Sequence, residues 1–243
     1  MHEARSTTLT GWGRTAPSRA DVVDVDEESL AEAVASAGAR GALVRGLGRS
    51  YGDAAQNGGG TVVRLAPPPA GGIRLDTSSG LVTAHAGVSF DRLLRHLVPK
   101  GFFVPVTPGT RFVTLGGAIA ADVHGKNHHV DGTIGRHVVS LRLLTAAGEI
   151  VDCSRERHPE LFLATVGGMG LTGHLLEVEL AMARIPSPWI VQETERARDL
   201  DAFLSLLAGS AREWPFTVGW LDALAGGGGL GRGILYRGRW ATA

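Results

Sequence analysis

The sequence predicts an α+β fold of two small lobes, followed by a shorter third segment. Three observations predict it. Strand-like runs come in neighbouring pairs joined by glycine-bearing turns, amphipathic helices lie between them, and no regular strand–helix–strand repeat appears. In chain order, Asp26 reads as the N-cap of a helix through Ala37, with Leu30, Ala33, Val34 and Ala37 on one face and Gly38 as the stop. Gly41 to Val44 and Thr61 to Leu65 read as β-segments, and Pro67-Pro68-Pro69 as an extended surface turn. Ile73 to Asp76 and Leu81 to Ala86 make a hairpin around Thr77-Ser78-Ser79-Gly80. Ser89 starts a second helix, with Phe90, Leu93, Leu94 and Leu97 on one face, that Pro99-Lys100-Gly101 ends. Val138 to Thr145 and Glu149 to Cys153 make a second hairpin, turning at Ala146-Ala147-Gly148. A short helix, Pro159 to Val166, precedes a long strand, His174 to Met182. Pro186 and Pro188 mark a domain boundary, giving units 9–185 and 186–243. The second unit holds one clear helix, Asp199 to Ala208, and a flexible four-glycine tract, Gly226 to Gly229.

A chain of 243 residues suits one large domain or two modest ones. The formal net charge is zero, so nothing favours nucleic acid as a partner. Only Lys100 and Lys126 are lysines, the other basic side chains being arginine. Cys153 is the only cysteine, which excludes an intrachain disulfide and suits packing at a strand end. There is no export signal and no apolar stretch of the roughly 20 residues a membrane helix needs, so a soluble chain is expected.

The chemistry concentrates in two segments. Gly46-Leu47-Gly48-Arg49-Ser50-Tyr51-Gly52-Asp53 follows a short apolar strand directly. Glycines there let consecutive N–H groups converge on an anion, and Arg45 and Arg49 add positive charge. A dinucleotide fingerprint of the strand–helix type needs a helix after the last glycine. None follows, since Asp53 to Asn57 runs into Gly58-Gly59-Gly60 and then a β-segment. A diphosphate held by a loop between strands is the better reading, with flavin adenine dinucleotide (FAD) as the leading ligand; taken alone, the loop also fits an ordinary glycine-rich turn. The second segment runs from Pro105 to His129, where Pro108-Gly109 signals a turn. In it, Gly116-Gly117 with Ala118, Ala120 and Ala121 forms a wall of minimal bulk against which a flat ring could lie.

These segments, with Leu9 to Pro17, Ala55 to Gly60, His124 to His129, and the run from Ala164 to Gly173, carry a resemblance. The chain resembles the FAD-binding flavoproteins of the vanillyl-alcohol oxidase and p-cresol methylhydroxylase (PCMH) type, and within them enzymes that oxidise a lipid-linked ribose. The match runs from about Leu9 to Ala183, with Trp220-Leu221-Asp222-Ala223 as a weak extension. It implies a two-lobed PCMH-type FAD-binding domain followed by an incomplete substrate (cap) domain. By the resemblance, FAD would be bound by Arg45, Gly46, Leu47, Gly48, Arg49, Ser50, Tyr51, Gly52 and Asp53, then by Gly109, Thr110, Thr114, Gly116 and Gly117. Ala121, Asp122 and His124 would lie near the ring, with Leu175 from the late strand. Tyr51, His124, Lys126 and Trp220 would meet substrate, Lys126 as an anchor for its phosphate. For Tyr51 and Trp220, core packing is an equal reading, and Lys126 also fits a solvated loop. Many relatives carry at position 49 a histidine bonded to the flavin; arginine cannot serve so, and FAD is expected to be noncovalent. A metal site among His124, His128 and His129 is not expected, because no thiol or carboxylate cluster joins them.

The reaction the resemblance implies is oxidation of a secondary alcohol, the 2'-hydroxyl of a polyprenylphosphoryl ribose in cell-wall arabinan precursor synthesis. A partner reductase would complete an epimerisation, and the lipid-linked substrate points to peripheral membrane association. Location would be cytoplasmic or at the cell envelope. Resembled enzymes continue well beyond this length and supply their proposed catalytic base there, so no catalytic residue is named. Two other readings stand: an aldonolactone or alditol oxidase of the same fold, and a truncated, non-catalytic flavin-binding module.

Overall fold

Valines buried on successive strands build the first lobe. The computed structural model describes residues 4–68 and 70–242, so Pro69 of the proline run lies outside the described residues. Strands β1 (Arg5–Leu9), β2 (Ser18–Val25), β3 (Ala42–Val44) and β4 (Thr61–Leu65) form a sheet in the order β1-β2-β4-β3. β1 is antiparallel to β2, whereas β2 and β3 both run parallel to β4. Between β2 and β3, helix α1 (Glu27–Ala35) starts where expected, the Asp26 carboxylate accepting the Ser29 N–H at 3.0 Å. It ends two residues before Ala37, at a Ser36 cap, and buries Leu30 and Ala33 against Val23, Val25 and Val63. β1 and β2 were not foreseen in the sequence.

The second lobe is an antiparallel sheet, order β5-β6-β10-β8-β9, covered on one face by helices. β5 (Ile73–Asp76) and β6 (Leu81–His85) form the first expected hairpin. Helix α2 (Phe90–Leu97) is capped by Ser89, whose hydroxyl accepts the Arg92 N–H, and the chain leaves through Gly101 at φ 78°. Strand β7 (Phe102–Phe103) and helices α3 (Leu115–Ala120) and α4 (His128–Asp131) follow. The second hairpin is β8 (Val138–Leu144) with β9 (Ile150–Ser154), where Cys153 is buried as expected. Helix α5 (Pro159–Thr165) leads to β10 (His174–Ala181), then to β11 (Ala183–Arg184), which pairs with β7. Phe90, Leu93, Leu97, Phe102, Ile119, Leu141 and Phe162 fill the core of this lobe.

β10 joins the two lobes. Leu175 and Val178 belong to the second-lobe core, while Leu176 packs with Leu144 into the first-lobe cluster. Successive side chains on a strand face opposite ways, and an irregularity in the pairing with β8 between Leu175 and Glu177 returns Val178 to the face of Leu175, so one strand serves both cores.

After Pro186 and Pro188, strands β12 (Ile190–Ala197), β13 (Phe216–Leu221) and β14 (Gly233–Trp240) make a separate antiparallel sheet in the order β12-β14-β13. Helix α6 (Leu200–Glu213) runs five residues past the expected Ala208 and buries Phe203 with Ala197 and Leu235. The strands were not foreseen. Trp189 and Trp220 are largely exposed here.

Phe90 is fully buried where α2 meets the second sheet. Phe90→Ala is expected to lower unfolding free energy by about 3–5 kcal/mol. A urea titration checks this through a reduced midpoint at unchanged slope.

Candidate functional site

The glycine loop after β3 is shaped from beneath by Arg45. Its guanidinium donates to the Thr10 carbonyl and to the Ala55 carbonyl, each at 2.7 Å, and its own N–H bonds to the Val63 carbonyl. Burial, then the charges of Arg64 and Arg49, lowers the Arg45 pKa, so its carbonyl partners offset part of its lost hydration. Gly48 curls over this guanidinium at φ 66°, so near that a Cβ would fall 2.4 Å from an Arg45 nitrogen. Arg45 thus brings its positive charge to the cleft wall while two of its N–H donors brace the loop.

Above that support, the backbone N–H groups of Gly46, Leu47, Gly48, Arg49, Ser50, Tyr51 and Gly52 meet no protein acceptor among the described residues. The amides from Gly46 to Ser50, in the part of the loop that borders a cleft, suit an anion-binding concavity. Leu9 and the residues after it lean on the loop's far side: Trp12 N–H donates to the Ser50 carbonyl at 2.7 Å and Gly13 N–H to the Tyr51 carbonyl at 3.2 Å. Arg49 donates to the Leu47 carbonyl and stacks on the Trp12 ring at 4.6 Å.

The second segment meets the first. A Cβ on Gly46 would lie 2.4 Å from Thr114 Oγ1, and Thr114 is itself the N-cap of α3, accepting the Gly117 N–H at 3.1 Å. Gly116 N–H bonds to the Ala86 carbonyl, so α3 lies against the end of β6 with no side chain between. An open cleft of about 1120 Å³, solvent-facing mouth included, runs between the lobes. Of the expected cofactor residues, Arg45, Gly46, Leu47, Gly48, Arg49, Ser50, Thr114, Gly116, Gly117, Ala121 and Leu175 line it.

Other expected residues do not line it. Tyr51, Gly52 and Asp53 lie at the exposed outer end of the loop, Tyr51 with 77% of its surface exposed. The Thr110 hydroxyl accepts the Phe112 N–H, closing the turn that holds Gly109. The Asp122 carboxylate accepts the Gly135 N–H at 2.9 Å and so braces the loop after α3. His124 packs edge-to-face on His128 at 5.7 Å. Lys126 lines a different cavity of about 600 Å³, between its own loop and the C-terminal sheet, walled by Phe103, Ile190, Phe216 and Trp240. The Lys126 carbonyl accepts the Thr217 N–H, tying that loop to β13. Trp220 lines neither cavity, because it sits at the exposed end of β13.

Residues missed in the sequence include Ala86, Gly87, Met169, Gly170 and His174, all on the cleft wall. The signal for His174 was available: a histidine heads a strand that otherwise opens with leucines. Met169 N–H bonds to the Ala120 carbonyl, which places the glycine-rich turn after α5 against the end of α3.

Comparison with known proteins agrees with this geometry. A family model described as FAD binding domain matches residues 20–154. The chain is 44% identical over 237 residues, 95% of its own length and 51% of the relative's, to decaprenylphosphoryl-beta-D-ribose oxidase of Mycolicibacterium smegmatis. It is 39% identical over 150 residues to an uncharacterised protein of Streptomyces coelicolor, covering 61% of this chain and 40% of that protein. A putative D-arabinono-1,4-lactone oxidase of Neurospora crassa is 31% identical over 106 residues, 44% of this chain and 19% of that protein. The chain therefore spans about half, or less, of the length of these relatives.

Two histidines beside the cleft generate a pH prediction. Burial lowers the pKa of His174; burial also lowers that of His85, against weaker opposing pulls from Glu27 and Glu177. Below the unfolded value of about 6.5 the unfolded chain takes up protons that the folded chain refuses. Their contribution to stability is full above that value and is lost as pH falls toward the folded values. The melting temperature is expected to drop between pH 7 and pH 5, and His174→Leu to flatten that drop.

Proposed function

The chain belongs to the FAD-binding-domain family, and from that premise we propose that it is an FAD-dependent oxidase of a secondary alcohol on a lipid-linked sugar. The observation that carries the reading is the row of amides from Gly46 to Ser50, without a protein acceptor among the described residues, in the part of the loop that lines the interlobe cleft. Those amides would hold the diphosphate. Gly116, Gly117 and Ala121 leave room for a flat ring, and Leu175 packs behind them. When bound, FAD supplies the two-electron acceptor for oxidation of a CH–OH group. Arg49 holds no nucleophile, so the cofactor would be noncovalent.

The proposed substrate is a polyprenylphosphoryl ribose, oxidised at its 2'-hydroxyl in arabinan precursor synthesis. Support comes from the loop after α3, where Val123 lines the cofactor cleft and Lys126, three residues on, lines the second cavity. That cavity is lined by Lys126 and Arg237 together with aromatic and aliphatic side chains, a setting suited to a phosphate with an apolar tail. A partner reductase would return the keto sugar to an alcohol. No described helix is long and apolar enough to cross a membrane, so the proposed contact with the bilayer is peripheral. The weaker similarity to a lactone oxidase, over 44% of the chain, fits a shared cofactor domain.

Two outcomes are expected. Purified protein should show flavin absorbance that acid precipitation releases into the supernatant, and pelleted colour would contradict a noncovalent cofactor. The bound flavin should bleach anaerobically with a polyprenylphosphoryl ribose and stay oxidised with aldonolactones.

A third concerns Gly48. Valine at φ 66° carries about 1–2 kcal/mol of backbone strain and collides with the Arg45 guanidinium. Gly48→Val should lower FAD affinity by at least about tenfold, read by flavin titration.

A further inference from the structure

His174 opens β10 and is 6% exposed. Its ring borders the interlobe cleft, yet Nδ1 has no hydrogen-bond partner among the described residues. Buried polar atoms are ordinarily paired, and leucine would fill this position without leaving a nitrogen unbonded. Nothing in the fold therefore explains an imidazole here.

The strand register says which way it faces. His174 stands directly opposite Leu144 on β8, and Leu144 packs with Leu176, Val25 and Val63 in the first-lobe cluster. Cross-strand partners share a face of the sheet. The imidazole thus overlies the strands from which the diphosphate loop springs, while Leu175 faces Gly116 on α3. The other buried nitrogen without a partner, Gln56 Nε2, does not line the cleft.

We infer that His174 is a ligand-binding residue, whose imidazole hydrogen-bonds the adenosine diphosphate half of the dinucleotide in this cleft. The inference rests on the FAD site proposed above. A neutral imidazole offers one donor and one acceptor, matching an adenine edge or a ribose hydroxyl. χ2 of a histidine is a soft torsion, so Nδ1 can reorient when a ligand enters the cleft. Burial keeps the ring neutral at pH 7.

The test titrates flavin-stripped protein with FAD and with ADP, and measures melting of each unliganded variant. His174→Leu is expected to bind both ligands roughly five- to tenfold more weakly, the loss of one hydrogen bond, with an unliganded melting temperature no lower than the original. His174→Asn, which keeps a polar atom near the Nδ1 position, should recover most of that loss. Unchanged affinity in His174→Leu overturns the inference. So does a loss for FAD with none for ADP, or an asparagine no better than leucine. A leucine variant too unstable to titrate also overturns it, by showing that the imidazole serves the fold. Should the original protein take up no flavin, the cofactor reading itself falls; uptake by the original with an unaffected variant removes only the role of His174.

Discussion

An arginine held between two distant carbonyls organises the site. With its guanidinium bonded to Thr10 and Ala55, Arg45 draws carbonyl oxygens inward beneath the loop. The loop's own carbonyls at Leu47, Ser50 and Tyr51 accept from Arg49, Trp12 and Gly13, while its amides from Gly46 to Gly52 meet no protein acceptor among the described residues. The same guanidinium leaves no room at position 48 for any side chain. Loop, charge and glycine are one device: an anion-binding surface whose direct donors are main-chain amides, rigid because what supports it is spent on support.

The cleft exists because β10 belongs to both lobes. Leu175 and Leu176, adjacent in sequence, enter different cores. Where the two faces diverge at the start of the strand, the lobes part, and α3 closes the gap with glycines and alanines. Thr114 links the halves, capping α3 while its hydroxyl fills the space beside Gly46. The cofactor space is thus bordered by the ends of elements and not by their middles, as is usual where ligands bind between lobes.

What was legible in the sequence was mostly local. Asp26 and Ser89 announce α1 and α2 because a cap acts within three residues, and both hairpins carry their turns beside them. The C-terminal sheet was hidden because β12 is polar from Gln192 to Arg196 and finds its partner some fifty residues later, Ile190 opposite Trp240. In the site, the amide loop and α3 were readable from glycine spacing. The bond of Asp122 to the Gly135 amide was not readable, because it depends on a loop that folds back from thirteen residues on. His174 was left as a structural histidine because it belongs to no cluster of chemistry-bearing residues in the sequence, and its place on the cleft wall depends on the pairing of β10.

The N-terminal turn has an implication for engineering. Gly11 and Gly13 lie so tightly on the main chain of Tyr51 and Gly52 that a Cβ on Gly11 would overlap the Gly52 carbonyl oxygen. Grafting only the nine-residue stretch from Arg45 to Asp53 onto a foreign scaffold would transfer the glycines and leave behind the clamp that gives them their shape. The smallest portable unit is a discontinuous one, its pieces separated by two strands and a helix in sequence, and any attempt to borrow this motif must carry both.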